Sequence, residues 1–176
     1  MYLGSGLDVT SALASATAAG RDGAPLLLVP GTSTTLPRPV ATELARLKPS
    51  RVIVVGGTNL ISAALSDRVG RLLPRAVIVD VPGNTAYDVA AVLSATFTPG
   101  QTVYVATGAV FADGLAGGAL ATSKRLPVVV VPPTGTLPGS VALALFALKP
   151  SKIVVLGGPS AVSYDVENQL AKYLPS

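Results

Sequence analysis

Residues 47–57, Leu-Lys-Pro-Ser-Arg-Val-Ile-Val-Val-Gly-Gly, return at residues 148–158 as Leu-Lys-Pro-Ser-Lys-Ile-Val-Val-Leu-Gly-Gly. The similarity extends outward from this pair, because Pro25-Leu-Leu-Leu-Val-Pro30 matches Pro127-Val-Val-Val-Val-Pro132. The offset is 102 residues at Pro25 and 101 from Leu36 onward, so the first copy carries one extra residue between these points. The chain is therefore an internal duplication, and each copy is one structural unit.

The duplication divides the chain into a first repeat, residues 1–74, and a second repeat, residues 75–176. Met1 aligns with Val103, so the second repeat is complete, whereas the first lacks the opening strand and helix that residues 75–102 supply. We therefore expect apolar surface of the first repeat to stand uncovered, and we expect self-association or a missing third repeat.

Each repeat alternates short apolar runs with Ala-rich helical stretches. The runs are rich in Val, Ile and Leu without polar alternation, which is typical of strands buried on both faces of a parallel sheet. Strict strand–helix alternation indicates βαβ units with right-handed crossovers. The predicted fold class is α/β, with tandem Rossmann-like βαβ modules and parallel sheets. Predicted strands lie at 1–4, 25–30, 51–56, 76–81, 102–107, 127–132 and 152–156, and predicted helices at 10–20, 37–47, 62–73, 85–96, 112–122, 138–148 and 163–174.

Composition excludes several kinds of site. The 176 residues include no His and no Cys, which removes imidazole bases, thiol nucleophiles and the usual zinc ligands. We therefore expect that the chain is not an enzyme and that it binds no cofactor and no metal. The nearest catalytic candidates are Asp80, Asp88 and Asp113. The apolar runs are too short for a membrane span. Aromatic residues at 5% and the absence of Trp argue against nucleic acid binding.

Basic residues precede several predicted strands. Lys48 and Arg51 flank the start of one strand, and Lys149 and Lys152 hold the same places in the second repeat. Such cations complement helix dipoles, or they form an anion-binding face, which also fits the net charge of +4. These four residues are our candidate ligand-binding residues for an extended polyanion.

The Gly-Gly pairs after the same strands form an alternative anion site. Gly56, Gly57, Gly157 and Gly158 each stand between a strand and a helix, and a helix N-terminus presents free N–H groups to anions. The other interpretation is that two glycines only permit a tight turn.

Ser11 and Asp113 occupy matching positions near helix starts. Ser and Asp share one structural role, helix N-capping, so we interpret both as helix caps. A carboxylate at the carboxyl edge of a parallel sheet could also bind a cation, which makes a cation site the alternative for this position.

Several motifs together resemble the type 2 cell wall-binding repeat of bacterial surface proteins. They are Val103-Tyr-Val-Ala-Thr-Gly-Ala-Val-Phe-Ala-Asp-Gly-Leu-Ala-Gly-Gly-Ala-Leu-Ala121, the Pro127–Pro132 run, the 148–158 turn, and Ala161-Val-Ser-Tyr-Asp-Val-Glu167. The resemblance covers the second repeat nearly end to end and the first from its Met onward. It implies a Rossmann-like module per repeat, repeats packed as a pseudo-trimer, and non-covalent anchoring of an extracellular protein to an anionic wall polymer.

One departure from the family pattern concerns residues 80–89, where Gly83 and Tyr87 are kept but the usual Arg is absent.

Two other classes of function compete with wall binding. One is a small Rossmann-like enzyme or nucleotide-binding protein, for which Gly4-Ser5-Gly6 is half of a dinucleotide fingerprint with Val9 at the third glycine position. The other is a structural module that self-assembles through exposed sheet or helix faces.

Overall fold

A computed structural model describes residues 1–109 and 111–175, apart from the side chains of Thr58 and of residues 111–116. The described chain alternates strands and helices, and every strand pairing is parallel, which confirms the predicted α/β class. The strands are Tyr2–Ser5 (β1), Leu26–Val29 (β2), Arg51–Val55 (β3), Val77–Val81 (β4), Thr102–Thr107 (β5), Val128–Val131 (β6) and Lys152–Val155 (β7). The helices are Val9–Arg21 (α1), Arg38–Leu47 (α2), Gly57–Leu60 (α3), Ala63–Leu72 (α4), Ala86–Ser94 (α5), Phe111–Ser123 (α6), Gly139–Leu148 (α7) and Tyr164–Ala171 (α8).

The helix starts follow from short polar side chains that accept a backbone N–H. Ser62 and Ser163 cap α4 and α8 at equivalent positions of the two repeats. Thr85 and Asp88 form a reciprocal capping box at the start of α5. These caps satisfy N–H groups that have no partner within the helix, and so fix where each helix begins.

The two sheets have the same strand order. The first runs β2-β1-β3-β4 and the second runs β6-β5-β7, so each repeat places its first three matched strands alike. In register, Tyr2 lies opposite Leu26 and Ile53, and Tyr104 lies opposite Val128 and Val154. The internal duplication in sequence is therefore also a duplication of sheet topology.

Strand β4 belongs to the sheet of the first repeat, although it opens the second repeat in sequence. It pairs with β3 along its whole length, from Arg51 opposite Val77 to Val55 opposite Val81. The helix that follows it, α5, packs on α1 of the first repeat and on α7 and β6 of the second. The opening strand and helix of the second repeat thus join the two repeats.

The hydrophobic core has two parts. The smaller one lies between the first sheet and helices α2 and α4, around Leu44, Val54 and Leu65. The larger one runs through α1, α5 and the second sheet, and includes Ala18, Val89 and Val130. Because the larger core contains residues of both repeats, neither repeat is an independent folding unit in packing terms.

Small residues let α1 and α6 approach closely between the repeats. A Cβ atom on Gly20 would collide with the side chain of Thr122, and one on Gly118 would collide with Leu13. A larger residue at either glycine would push the two helices apart.

Arg21 joins the ends of α1 and α5. Its guanidinium donates to the Asp22 carboxylate at 2.6 Å and to the Thr96 hydroxyl at 2.6 Å, and it lies 4.5 Å above the centre of the Phe97 ring. The hydroxyl of Tyr2 donates to the other Asp22 oxygen at 2.6 Å. The second repeat has Ser123 and Lys124 where the first has this pair, so the contact exists once.

Two surfaces are less covered than their counterparts in the other repeat. Strand β6 is fully buried, whereas Leu28 in the equivalent strand β2 is 49% exposed. Strand β3 buries Val52 and Val54, whereas the matching Ile153 and Val155 of β7 are only half-buried. Each sheet therefore has apolar residues that are less covered than their counterparts, and the expectation that the first repeat leaves an apolar surface uncovered stays a prediction.

Candidate functional site

The four candidate cations lie at the starts of strands β3 and β7, at the same place in each repeat, and we call them together the basic edge (Lys48, Arg51, Lys149 and Lys152). Arg51 and Lys152 are the first residues of β3 and β7, and the two lysines end the helices that precede those strands. All four side chains are exposed. Among the described residues, none of the four has a carboxylate within 4.0 Å. Their positive charges are therefore available to a ligand.

The backbone at the two lysines is unusual and is the same in both repeats. Lys48 and Lys149 have φ values of 44° and 45°, in the left-handed region, and each N–H donates to a helix carbonyl at 3.0 Å, that of Leu44 and Leu145 respectively. Proline follows each lysine, so the chain leaves the helix and enters the strand at once. The Lys-Pro-Ser turns therefore present their lysines in one geometry, twice.

Each turn forms one wall of a groove. Groove 1, of about 550 Å³, is lined by Lys48, Pro49, Ser50, Leu73, Pro74 and Arg75, among others. Groove 2, of about 390 Å³, is lined by Lys149, Pro150, Ser151, Lys172, Tyr173 and Leu174, among others. Both linings contain the Lys-Pro-Ser turn, a Leu-Pro pair and a second cation, although the second cations, Arg75 and Lys172, do not stand at equivalent positions of the two repeats. Among the described lining residues of either groove there is no acid.

The sequence placed Arg75 just before a predicted strand without making it a candidate ligand-binding residue, and it did not direct us to Lys172 or Tyr173. They follow the C-terminal ends of α4 and α8, about 25 residues after the lysines in sequence. The Leu73-Pro74 and Leu174-Pro175 match was the available signal, because it marks a second duplicated turn at the same end of each repeat.

The Gly-Gly pairs lie on the opposite edge, in a different electrostatic setting. Gly56 precedes the four-residue helix α3, which begins at Gly57, and α4 begins only at Ala63. After Gly157 and Gly158 the chain turns, and α8 begins at Tyr164.

The backbone conformation at position 57 requires glycine. Its φ is 52°, and a Cβ atom there would collide with the carbonyl oxygen of Gly83. Beside it lies a cavity of about 390 Å³ that is also lined by Asp67 and Asp80, and Asp80 accepts a hydrogen bond from Ser66 at 2.9 Å. Two carboxylates in this cavity repel an anion.

The capping interpretation of Ser11 is wrong. Asp8 caps α1, because its carboxylate accepts the Ser11 N–H at 2.6 Å, and Ser11 lies buried within the first turn. The helix begins earlier than the apolar pattern indicated, at Val9. Asp113 lies inside α6, which begins at Phe111, rather than in front of it. Its side chain is outside the described residues, so its role as a cap or cation site stays a prediction.

The carboxylate of Asp88, another catalytic candidate from the sequence, is engaged locally. Asp88 accepts the N–H groups of Asn84 and Thr85 in its capping box. Among the described residues, no group of three or more acidic side chains could hold a metal ion. No described helix is long and apolar enough to cross a membrane.

Comparison with protein families identifies the chain. The family model described as "Cell wall binding domain 2 (CWB2)" matches residues 4–66 and 81–167. The chain belongs to this family. It is a cell wall-binding module of the cell surface, and the resemblance seen in its sequence is confirmed.

Solved structures share the fold of this CWB2 module. Cwp6 from Clostridium difficile is similar with a TM-score of 0.84 at 18% identity, over 98% of this chain and 27% of that one. Cwp8 from Clostridium difficile gives a TM-score of 0.78 at 23% identity, over 99% of this chain and 29% of that one. The module therefore spans less than a third of the length of these two proteins. No curated protein matches the chain.

Proposed function

We propose that the CWB2 module binds an anionic cell wall polymer at its basic edge, with one pair of cations from each repeat. The observation that carries this proposal is the contrast between the two edges. The cations of the basic edge are exposed and lack carboxylate partners among the described residues, whereas the Gly57 edge carries Asp67 and Asp80. An extended polyanion is held best by several spaced charges, because linked weak contacts strengthen one another through effective concentration.

The test is co-sedimentation with purified Gram-positive cell walls at salt concentrations from about 0.1 M to about 1 M. Over this interval the Debye length falls from ~10 Å to ~3 Å, so exposed charge contacts weaken steeply. We expect salt-sensitive binding that is lost in the variant Lys48→Ala/Arg51→Ala/Lys149→Ala/Lys152→Ala. Binding that ignores both salt and this variant would overturn the assignment and favour Gly56, Gly57, Gly157 and Gly158.

A matched control separates local contact from net charge. The double variants Lys48→Ala/Arg51→Ala and Lys149→Ala/Lys152→Ala each remove two positive charges, as does Arg38→Ala/Arg68→Ala on the exposed surfaces of α2 and α4. We expect the first two to weaken wall binding and the third to leave it near the wild-type value. Equal losses in all three would show that net charge alone attracts the walls.

We also propose that the module itself performs no catalysis. Family membership supports a binding role, and the sequence offers no His or Cys. Purified walls incubated with the protein should release no soluble sugar. Release of wall sugars that disappears in Asp113→Ala or Asp80→Asn would contradict a purely binding role.

We further propose that residues 1–74 and 75–176 are successive repeats, and that another repeat completes the second sheet. In the first sheet, β4 occupies the outer edge of β3, whereas no described strand pairs with the outer edge of β7. An unpaired strand edge readily accepts another strand. The strand would come from a second copy of the chain or from a third repeat of a longer protein.

Light scattering over a concentration series distinguishes the two sources. Association that grows with concentration, and that is lost in Val155→Pro at the β7 edge, would support a second copy. A monodisperse monomer at every concentration would rule out self-association and leave a third repeat in the same chain as the completing element.

A further inference from the structure

The lysines of the two Lys-Pro-Ser turns occupy a backbone conformation that favours glycine. Left-handed φ values crowd the Cβ of an ordinary residue, and helices that end this way usually place glycine there. Lys48 and Lys149, at 44° and 45°, nevertheless have the same side chain in both repeats.

A second left-handed position in the repeat behaves differently. Arg125 has φ 55°, and its counterpart in the first repeat is Gly23, with φ 60°. Here one repeat has glycine and the other a side chain, so the fold itself accepts either. The Gly23/Arg125 position therefore differs from the Lys48/Lys149 position, where both repeats have lysine.

The surroundings of the two lysines indicate what they contact. Each lines a groove with proline and leucine walls, a second cation and no acid, Arg75 in groove 1 and Lys172 in groove 2. Small-molecule sites have this composition: mostly apolar walls with a few placed polar groups. A pyranose ring has an apolar face for such walls, and a carboxylate or phosphate on it would pair with the two cations.

We propose that grooves 1 and 2 are paired subsites, each holding one anionic sugar unit of the same wall polymer, with Lys48 and Lys149 as the charge contacts. This inference rests on the proposed wall-binding function and makes it specific. One difference between the grooves is that the half-buried Tyr173 of groove 2 stands at the position that Leu72 has in groove 1. The aromatic ring gives groove 2 the larger flat surface for a sugar.

A lysine at the C-terminus of a helix also complements the helix dipole, which contributes to stability and not to binding. Substitution by glycine separates these roles, because it removes the side chain and suits the left-handed backbone. The variants are Lys48→Gly, Lys149→Gly and the double variant, with Arg125→Gly as matched control. That control also removes one cation from a left-handed position, outside both grooves.

The readouts are thermal unfolding and co-sedimentation with purified Gram-positive walls. We expect every glycine variant to unfold at or above the wild-type temperature. The double variant should bind walls roughly tenfold or more weakly, the loss of two charge-assisted contacts, while Arg125→Gly binds as the wild type does. A double variant that binds like the wild type would overturn the grooves as subsites.

Polymers of defined structure test whether Tyr173 packs against a sugar ring. Tyr173→Leu, which copies groove 1, should weaken binding to polygalacturonate, whose units are pyranose rings, and leave binding to poly(glycerol phosphate), which has no ring, unchanged. Equal effects on both polymers would overturn the stacking role of Tyr173.

Failure of the wild-type protein to bind walls would instead overturn the proposed function. If the four-alanine variant loses binding and the double glycine variant does not, the basic edge remains the binding surface, but the grooves are not its subsites.

Discussion

Strands β3 and β7 are equivalent strands of the two repeats, yet among the described strands only β3 has a neighbour on its outer side. Val54 of β3 is 2% exposed, beside β4, whereas the matching Val155 of β7 is half-buried. Both strands begin with a cation of the basic edge and follow the same Lys-Pro-Ser turn. The difference therefore comes from what lies beside the strand and not from the strand's own sequence.

In this chain the strand at residues 77–81 completes the edge of the sheet that residues 1–74 form. Strand β4 and helix α5 open the second repeat in sequence, but β4 pairs with β3 and α5 packs on α1. The first sheet is complete because a second repeat follows it.

The largest expected effect tests whether the two sheets are otherwise equal. Leu44 and Leu145 are matched residues of α2 and α7, and both are fully buried. We expect Leu44→Ala and Leu145→Ala to lower the free energy of unfolding by similar amounts, about 3 kcal/mol each. Urea unfolding of the two variants measures this. A cost at Leu145 below half that at Leu44 would show that the bare edge loosens the whole second sheet.

A smaller effect isolates the edge. We expect Val54→Ala to cost about 2 kcal/mol and Val155→Ala less than half as much, since the second side chain already contacts water. The same urea titration reports both values, and the identical substitution in each strand is its own control. Equal costs would mean that the absent neighbour makes no difference to packing.

The smallest effect concerns the Arg21–Asp22 contact, which the second repeat lacks. Hydrogen bonding from Arg21 holds the pKa of Asp22 below its ordinary value of 3.8. A carboxyl group whose pKa is lowered by folding stabilises the fold at pH values above its ordinary pKa. This stability is lost as the pH falls through the folded-state pKa. Because both side chains are partly exposed, we expect less than about 1 kcal/mol.

Asp22→Asn tests that contact. The unfolding temperature of this variant should lie below that of the wild type near neutral pH, and the two should converge at about pH 2. A gap that persists in acid would assign the effect to packing around Arg21, Thr96 and Phe97 rather than to the charge of Asp22.

The secondary structure could be predicted because apolar runs and turn residues are local signals. Strand β5 occupies 102–107 as predicted, and the four-residue helix α3 was missed because its sequence, Gly-Thr-Asn-Leu, carries no helical periodicity. The sheet to which β4 belongs could not be predicted. Its sequence, Val-Ile-Val-Asp-Val, suits any parallel sheet and does not specify a neighbour.

The candidate site divides in the same way. The exposure of the four cations of the basic edge followed from their places beside strands and helix ends. Lys172 and Tyr173 were not found, because the packing of α8 against its sheet brings them to groove 2. Ser11 was misassigned because it was interpreted through its match with Asp113, whereas Asp8, three residues earlier, accepts its N–H and caps the helix.

The position of β4 has a consequence for how such arrays change in length over evolution. A duplicated unit inserted between two repeats would give its first strand to the repeat before it and receive one from the repeat after it. Every strand pairing would be restored without a new interface having to arise. Copy number in such an array can therefore rise or fall by simple gene duplication or deletion.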